Sequence, residues 1–274
     1  MDIKLSDRFM RCGVFFAMLI LTHDAFGEEP GRFKYEYPGY NDTPFYPATK
    51  FYPAATYRVH DPNQPQPPRV LPPNSDGSLG TPAPSDAVVL FDGTSLDAFE
   101  ENDAVVENGV IVIGGDSLLT KQAFGSCQLH LEWRTPETLA DRTGNMGNSG
   151  LFLMDQYELQ IFDSYSCKIY ADGSAGAIYA QTPPLVNVCR KPGEWQSFDV
   201  VFHAPVFQQG EVVSLPEITV LHNGVLIQDR TQIKGPTLHK TARPITPHAE
   251  KMPLHIQGHG CPVGIRNFWI RPLD

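Results

Sequence analysis

The sequence predicts an all-β protein, an antiparallel β-sandwich or jelly roll preceded by a Pro/Tyr-rich extended segment. Three observations carry this expectation. From Ala87 onward, short stretches of alternating polar and apolar residues follow one another closely, separated by turns. No segment repeats its apolar residues at the period of a helix. Two Asn-Gly pairs, Asn108-Gly109 and Asn223-Gly224, each stand between two such stretches, where residues that tolerate positive φ close a hairpin. Strands without intervening helices bury their apolar faces by packing sheet on sheet.

The chain begins with Lys4, Arg8 and Arg11, a short apolar run from Gly13 to Leu21, and then Ala25-Phe26-Gly27 before acidic Glu28-Glu29. This order is that of a signal peptide over residues 1–27, cleaved after Gly27, and it predicts export to the periplasm or the extracellular space. The apolar run is short for a spanning helix, and an uncleaved anchor stays open as the alternative. Residues 28–84 form a distinct tract. Proline recurs from Pro30 to Pro84 with interleaved Tyr35, Tyr37, Tyr40, Tyr46, Tyr52 and Tyr57, so neither a helix nor a central strand is available to it. Its second half reads as a polyproline linker or a strap lying on the surface. Its first half carries too many aromatics to stay solvated, and is expected to pack on the main domain or on a partner.

Residues 85–274 read as one domain. Its strands are expected in AVVLFDG, VVENGVIVIGG, SLLT, CQLHLEWRT, SGLFLM, YELQIFD, GAIYAQ, SFDVVFHAP, EITVLHNGVLIQD, PLHIQGHG and GIRNFWIRPL. The chain's 274 residues, 41% hydrophobic, suffice for one sizeable core. A net charge of −10, without a basic patch, argues against nucleic acid and anionic membranes as partners. Beyond the leader, Cys127, Cys167, Cys189 and Cys261 are widely spaced with no CxxC pair, which disfavours a zinc cluster. Disulfides and isolated buried thiols both remain open.

Three strands present polar side chains on one face. In CQLHLEWRT, alternation sets Gln128, His130, Glu132 and Arg134 against Leu129, Leu131 and Trp133. In YELQIFD it sets Glu158 and Gln160 against Leu159 and Ile161, and in PLHIQGHG it sets His255, Gln257 and His259 against Leu254 and Ile256. If these faces form one concave surface, it holds two carboxylates, an arginine, histidines and amides. That inventory hydrogen-bonds sugar hydroxyls, and two carboxylates supply the acid and base of glycosidic cleavage. The plainer alternatives are a salt bridge between Glu132 and Arg134 on a wet face, and ordinary solvent-facing histidines. His259 lies between glycines just after a strand, where a loop can aim it.

Other motifs are absent or weak. His203, His222, His239 and His248 lack metal-ligand spacing, and there is no HEXXH. Gly147-Asn148-Ser149-Gly150 resembles a nucleophile elbow in letters only, since no strand-to-helix turn follows. Asp163 and Asp172-Gly173 read as strand and turn terminators, with calcium ligation as the alternative.

In this order, LFDG at Leu90–Gly93, LEWR at Leu131–Arg134, GNSGLFL at Gly147–Leu153 and YELQIFDSY at Tyr157–Tyr165 resemble the 3-keto-disaccharide hydrolase domain family. The likeness continues through YADGSAGAIYAQTPPLVN at Tyr170–Asn187, KPGEWQSFDVVFHAP at Lys191–Pro205, HNGV at His222–Val225 and RNFWIRPL at Arg266–Leu273. The resemblance implies a concanavalin A-like jelly roll acting on glycosides already oxidised at C3. There the ketone acidifies the C2 proton, an enolate expels the anomeric oxygen, and water adds to the glycal. Carried over by position, Glu132 and Glu158 are the base and acid candidates, and Arg134 and Gln160 steady the enolate or hydroxyls. Asn148 and His259 would line the site, His259 as a third catalytic candidate; Gln257, from the strand reading, joins the substrate-binding candidates, as does Arg266, which matches the terminal RN motif. The resemblance settles no metal, and a divalent cation stays open. One departure stands out. The family commonly reads Leu-Gln-Asp-His-Gly where this chain has Ile256-Gln257-Gly258-His259-Gly260, so a carboxylate is missing. A non-catalytic carbohydrate-binding module and an envelope-interaction protein are the rival expectations.

Overall fold

The computed structural model describes residues 35–73, 78–137 and 145–274. The expected signal peptide lies outside the described residues. In chain order the strands begin with β1 (Tyr35–Glu36), β2 (Val88–Phe91), β3 (Val105–Glu107), β4 (Val110–Val112), β5 (Leu118–Phe124) and β6 (Cys127–Arg134). There follow β7 (Ser149–Leu153), β8 (Tyr157–Ile161), β9 (Cys167–Lys168), β10 (Gln196–His203), β11 (Val206–Gln208) and β12 (Glu211–Ser214). The last are β13 (Glu217–His222), β14 (Val225–Gln232), β15 (Met252–Ile256) and β16 (Gly264–Pro272), and the one helical turn described is a 3₁₀ turn at Ala171–Gly173.

These strands build an all-β sandwich. The larger sheet has the order β14-β13-β10-β6-β16-β4-β3, with β2 added along β16, and the smaller sheet has the order β5-β15-β7-β8. All neighbours within both sheets are antiparallel. Both Asn-Gly hairpins form, β3–β4 and β13–β14, and Asn108, Gly109, Asn223 and Gly224 all take positive φ between 52° and 79°. GAIYAQ does not become a strand. It makes isolated bridges, Ile178 opposite Leu159 on the edge of β8 and Ile178 opposite Thr182. The hairpin β11–β12 and the short parallel pair β1–β9 were not legible in the sequence.

Alternation sends the apolar side chains of both sheets inward. Leu129, Leu131 and Trp133 from β6 join Leu151 and Leu153 from β7, Leu159 and Ile161 from β8, and Leu254 and Ile256 from β15 in one buried cluster. The Tyr157 and Phe202 rings, one from each sheet, meet at 6.1 Å. Each such side chain removed from water contributes about 1.5–3 kcal/mol, so the alternation is strongly enforced.

The Pro/Tyr tract packs on this sandwich over its described length. Tyr46 and Val59 are buried, Arg69 reaches the Cys189 carbonyl at 2.6 Å, and the Gly80 amide donates to Glu132 at 2.5 Å. None of the four described cysteines is in a disulfide, and all are buried. Burial pushes the Cys127 thiol up to about 12, which makes it inert as a thiolate.

Candidate active site

The polar residues expected to share one surface lie on opposite outer faces of the sandwich. Glu132 and Arg134 point away from the core on the larger sheet, while Glu158 and Gln160 point away from it on the smaller one. The expectation of a single concave face is therefore corrected. The sequence could give each strand its own polar face, but only the tertiary pairing says which strands share a sheet.

Glu132 is held in a saturated network. On β6 it is flanked by Ser197 of β10 and Arg266 of β16. Its carboxylate accepts from Arg266 Nε at 2.6 Å, Asn267 Nδ2 at 2.9 Å and the Gly80 amide at 2.5 Å, with His130 Nε2 at 3.4 Å. Burial opposes its ionisation, but these donors outweigh burial and bring it down to about 2. His130 is raised in turn: burial works against its charge, and the hydrogen bonds its ring donates to Asp199 and Glu132 overcome that. A carboxylate this acidic and this fully engaged is a poor base and an unavailable acid. Arg134 and Arg266 stack on the Trp195 ring at 4.8 and 4.0 Å, so both frame the same region of the larger sheet. A cleft of about 460 Å³ lies there, lined by Leu79, Gly80, Arg190, Trp195 and Arg266 among others.

The smaller sheet gathers the other predicted site residues. Across its outer face runs one row made of His255, Phe152 and Glu158, and beside it Gly150 faces Gln160 while the Gln257 amide donates to the Gly150 carbonyl at 2.9 Å. Gly150 leaves a notch between the two glutamines, and the Glu158 carboxyl fills part of it. A tight turn at Asn145–Asn148, with Met146 and Gly147 at positive φ, brings Asn148 Oδ1 to Gln160 Nε2 at 3.3 Å. His259 is exposed at the rim. Its Nδ1 lies 2.9 Å from Asn145 Oδ1, and Asn145 also donates to the His259 carbonyl. The carboxyl group of Glu158 has no hydrogen-bond partner among the described residues, and Gln160 Oε1 is buried without one. Burial alone pushes Glu158 up to about 8, so it holds its proton at neutral pH.

Beside Glu158 lies a polar aromatic cluster that the sequence reading did not single out. The bridge Leu159–Ile178 puts Ile178 in the core and so turns Tyr179 to the outer face, its amide donating to the Glu158 carbonyl at 3.2 Å. The Tyr170 and Tyr179 hydroxyls are 2.9 Å apart, and Tyr179 also meets His239 Nδ1 at 3.0 Å. Burial, with Glu158 and Asp172 contributing, raises both tyrosines. His60, from the Pro/Tyr tract, packs against Tyr170 with ring centroids 4.0 Å apart and planes tilted by 37°. Asp172 does not terminate an empty turn. Its carboxylate holds the His60 amide at 2.9 Å and His60 Nδ1 at 3.1 Å. The signal for Tyr170, Asp172 and Tyr179 was their place in YADGSAGAIYA, whereas His60 sits in a tract without periodicity and gave none. Among the described residues, no group of three or more His, Cys, Asp or Glu is arranged to hold a metal ion.

The model of the 3-keto-alpha-glucoside-1,2-lyase-like domain matches residues 86–271. The chain belongs to that family. The chain is also 38% identical to a provisionally assigned glycosyl hydrolase from Parabacteroides distasonis, whose crystal structure superposes with a TM-score of 0.67 over 77% of this chain and 93% of that one. A second provisionally assigned glycosyl hydrolase from the same organism shares 23% identity over 68% of this chain and 99% of its own, with a TM-score of 0.52, and supports the fold. Curated proteins give no match. The family and the first relative place the chain among carbohydrate-active, glycosyl hydrolase-like proteins. Its departure from the family's Gln-Asp-His-Gly has a steric basis: a Cβ at Gly258 would run into the backbone of Gly115 and Asp116, so the aspartate's place is filled by main chain.

Proposed function

We propose that this protein is an exported enzyme that cleaves glycosides carrying a ketone at C3, on the outer face of the smaller sheet. The observation that carries the reading is Glu158, a carboxyl kept protonated by burial beside a glycine notch and three amide side chains. Removal of the C2 proton places its electron pair in a C2=C3 bond and the carbonyl pair on O3. When C3=O re-forms, a C1=C2 bond is made, the C1–O1 bond breaks, and Glu158 gives its proton to the departing oxygen. Gln160, Gln257 and Asn148 donate to the charged O3 and to ring hydroxyls. His259, on the rim with Nδ1 held by Asn145, orients the water that then adds to the glycal.

The test is incubation of the chain from residue 28 onward with a 3-keto-glucoside and with its unoxidised parent, following aglycone release with and without a chelator. Release from the keto compound alone supports the eliminative enzyme, and loss of release with chelator adds a divalent metal. Gly258 favours a second reading, a sugar-binding module without turnover. Binding of the keto compound with no release from either substrate would establish that reading instead.

A further inference from the structure

The proposed elimination needs a base as well as an acid, and Glu132, one of the two carboxylates expected to share these roles, lies on the other sheet. The tract that precedes the family domain carries a buried histidine held by a carboxylate. His60 is fully buried. Both oxygens of Asp172 engage it, one accepting from its backbone amide at 2.9 Å and the other from Nδ1 at 3.1 Å. A carboxylate only accepts, so Nδ1 carries the hydrogen and the other nitrogen is left as the basic one. That nitrogen, Nε2, is buried with no hydrogen-bond partner among the described residues. A buried imidazole nitrogen without a partner is unfavourable and calls for an explanation. A histidine oriented through Nδ1 by a carboxylate, with Nε2 bare, is the arrangement that general bases use.

The surroundings tie His60 to the acid. Its ring lies 4.0 Å from the Tyr170 ring and 4.9 Å from the Tyr179 ring, the Tyr179 main-chain amide donates to the Glu158 main-chain carbonyl at 3.2 Å, and both tyrosines lie close enough to feel the Glu158 carboxylate charge. On the other side Tyr40 packs at 6.1 Å and His239 at 5.3 Å. His239, the ring at 5.3 Å, is itself exposed, so the cluster that encloses His60 reaches the surface there. The charged groups near this base are Asp172, Lys240 over the Tyr40 ring at 3.5 Å, and Lys234, whose ammonium is disfavoured by burial and favoured by Asp172.

We propose that His60, oriented by Asp172, is the catalytic base that takes the C2 proton, and that the Pro/Tyr tract is thereby part of the active site. The inference rests on the eliminative reading above. In the step, the C2–H bond breaks, the proton passes to His60 Nε2, and its electron pair enters the enolate. Glu158 later supplies the proton that leaves with the aglycone.

The experiment incubates the chain from residue 28 with a 3-keto-glucoside in D₂O and reads both deuterium incorporation at C2 and aglycone release. Glu158→Gln is expected to keep exchange and lose release by roughly 10²-fold or more, since proton removal and leaving-group protonation are separate steps. His60→Gln and Asp172→Asn are expected to lose both by a similar factor while their melting curves show a folded protein. Should His60→Gln not fold, Asp172→Asn decides. Exchange surviving in the folded variants, or abolished by His259→Gln instead, overturns the assignment and leaves the eliminative reading standing. Wild-type protein that neither exchanges nor releases overturns the eliminative reading itself.

Discussion

The carboxyl group of Glu158 lies over the Cα of Gly150, in the space that any side chain at position 150 would enter. Two residues on neighbouring strands thus share one volume, and the sheet presents a buried acid only because its neighbour is glycine. Gly150→Ala is expected to cost roughly 1–3 kcal/mol through overpacking, and to reduce kcat/KM by displacing the acid. Thermal denaturation and kinetics on the same preparation check both.

Glu158 also fixes a pH dependence. Its carboxyl is raised by burial to about 8, so the folded state holds a proton that the unfolded chain releases near its ordinary value of 4.5. The contribution to stability is whole below that ordinary value and is lost as pH rises through about 8, at up to ~1.4 kcal/mol per pH unit. Urea denaturation of wild type and Glu158→Gln across this range should show the wild type losing stability relative to the variant. On the proposed reading, wild-type turnover should also fall above about pH 8, as the acid loses its proton.

Glu132 should behave in the opposite way. Its network holds it near 2, so its contribution is present above its ordinary value of 4.5 and is lost as pH falls through about 2. Glu132→Ala would leave Arg266 without its carboxylate and His130 with Asp199 alone, and is expected to destabilise by roughly 3–5 kcal/mol. The folded fraction should keep its turnover per molecule. A fully folded Glu132→Ala protein without turnover would show that the larger sheet carries chemistry after all.

Restoring the family's aspartate is not expected to restore anything. In Gly258→Asp the new Cβ would collide with the carbonyls of Gly115 and Asp116, which are main chain and cannot swing aside. A fall in melting temperature with no gain in turnover is the expected result. A gain in turnover would show that the 115–116 segment yields.

The all-β class, both Asn-Gly hairpins and the polar and apolar faces of β6, β8 and β15 were set by the sequence alone, because strand alternation and positive-φ turns are local properties. Glu158 and Gln160 were legible for the same reason, whereas Asn148 came only with the family resemblance. Which faces meet was not local. β6 is paired between β10 and β16 in one sheet and β8 with β7 in the other, and those long-range pairings put Glu132 and Glu158 on opposite sides of a shared core. Tertiary structure alone brought His60 from a tract without periodicity onto Asp172, 112 residues away, since burial of an aromatic cluster and one carboxylate with two acceptors, rather than any pattern in the chain, holds it there.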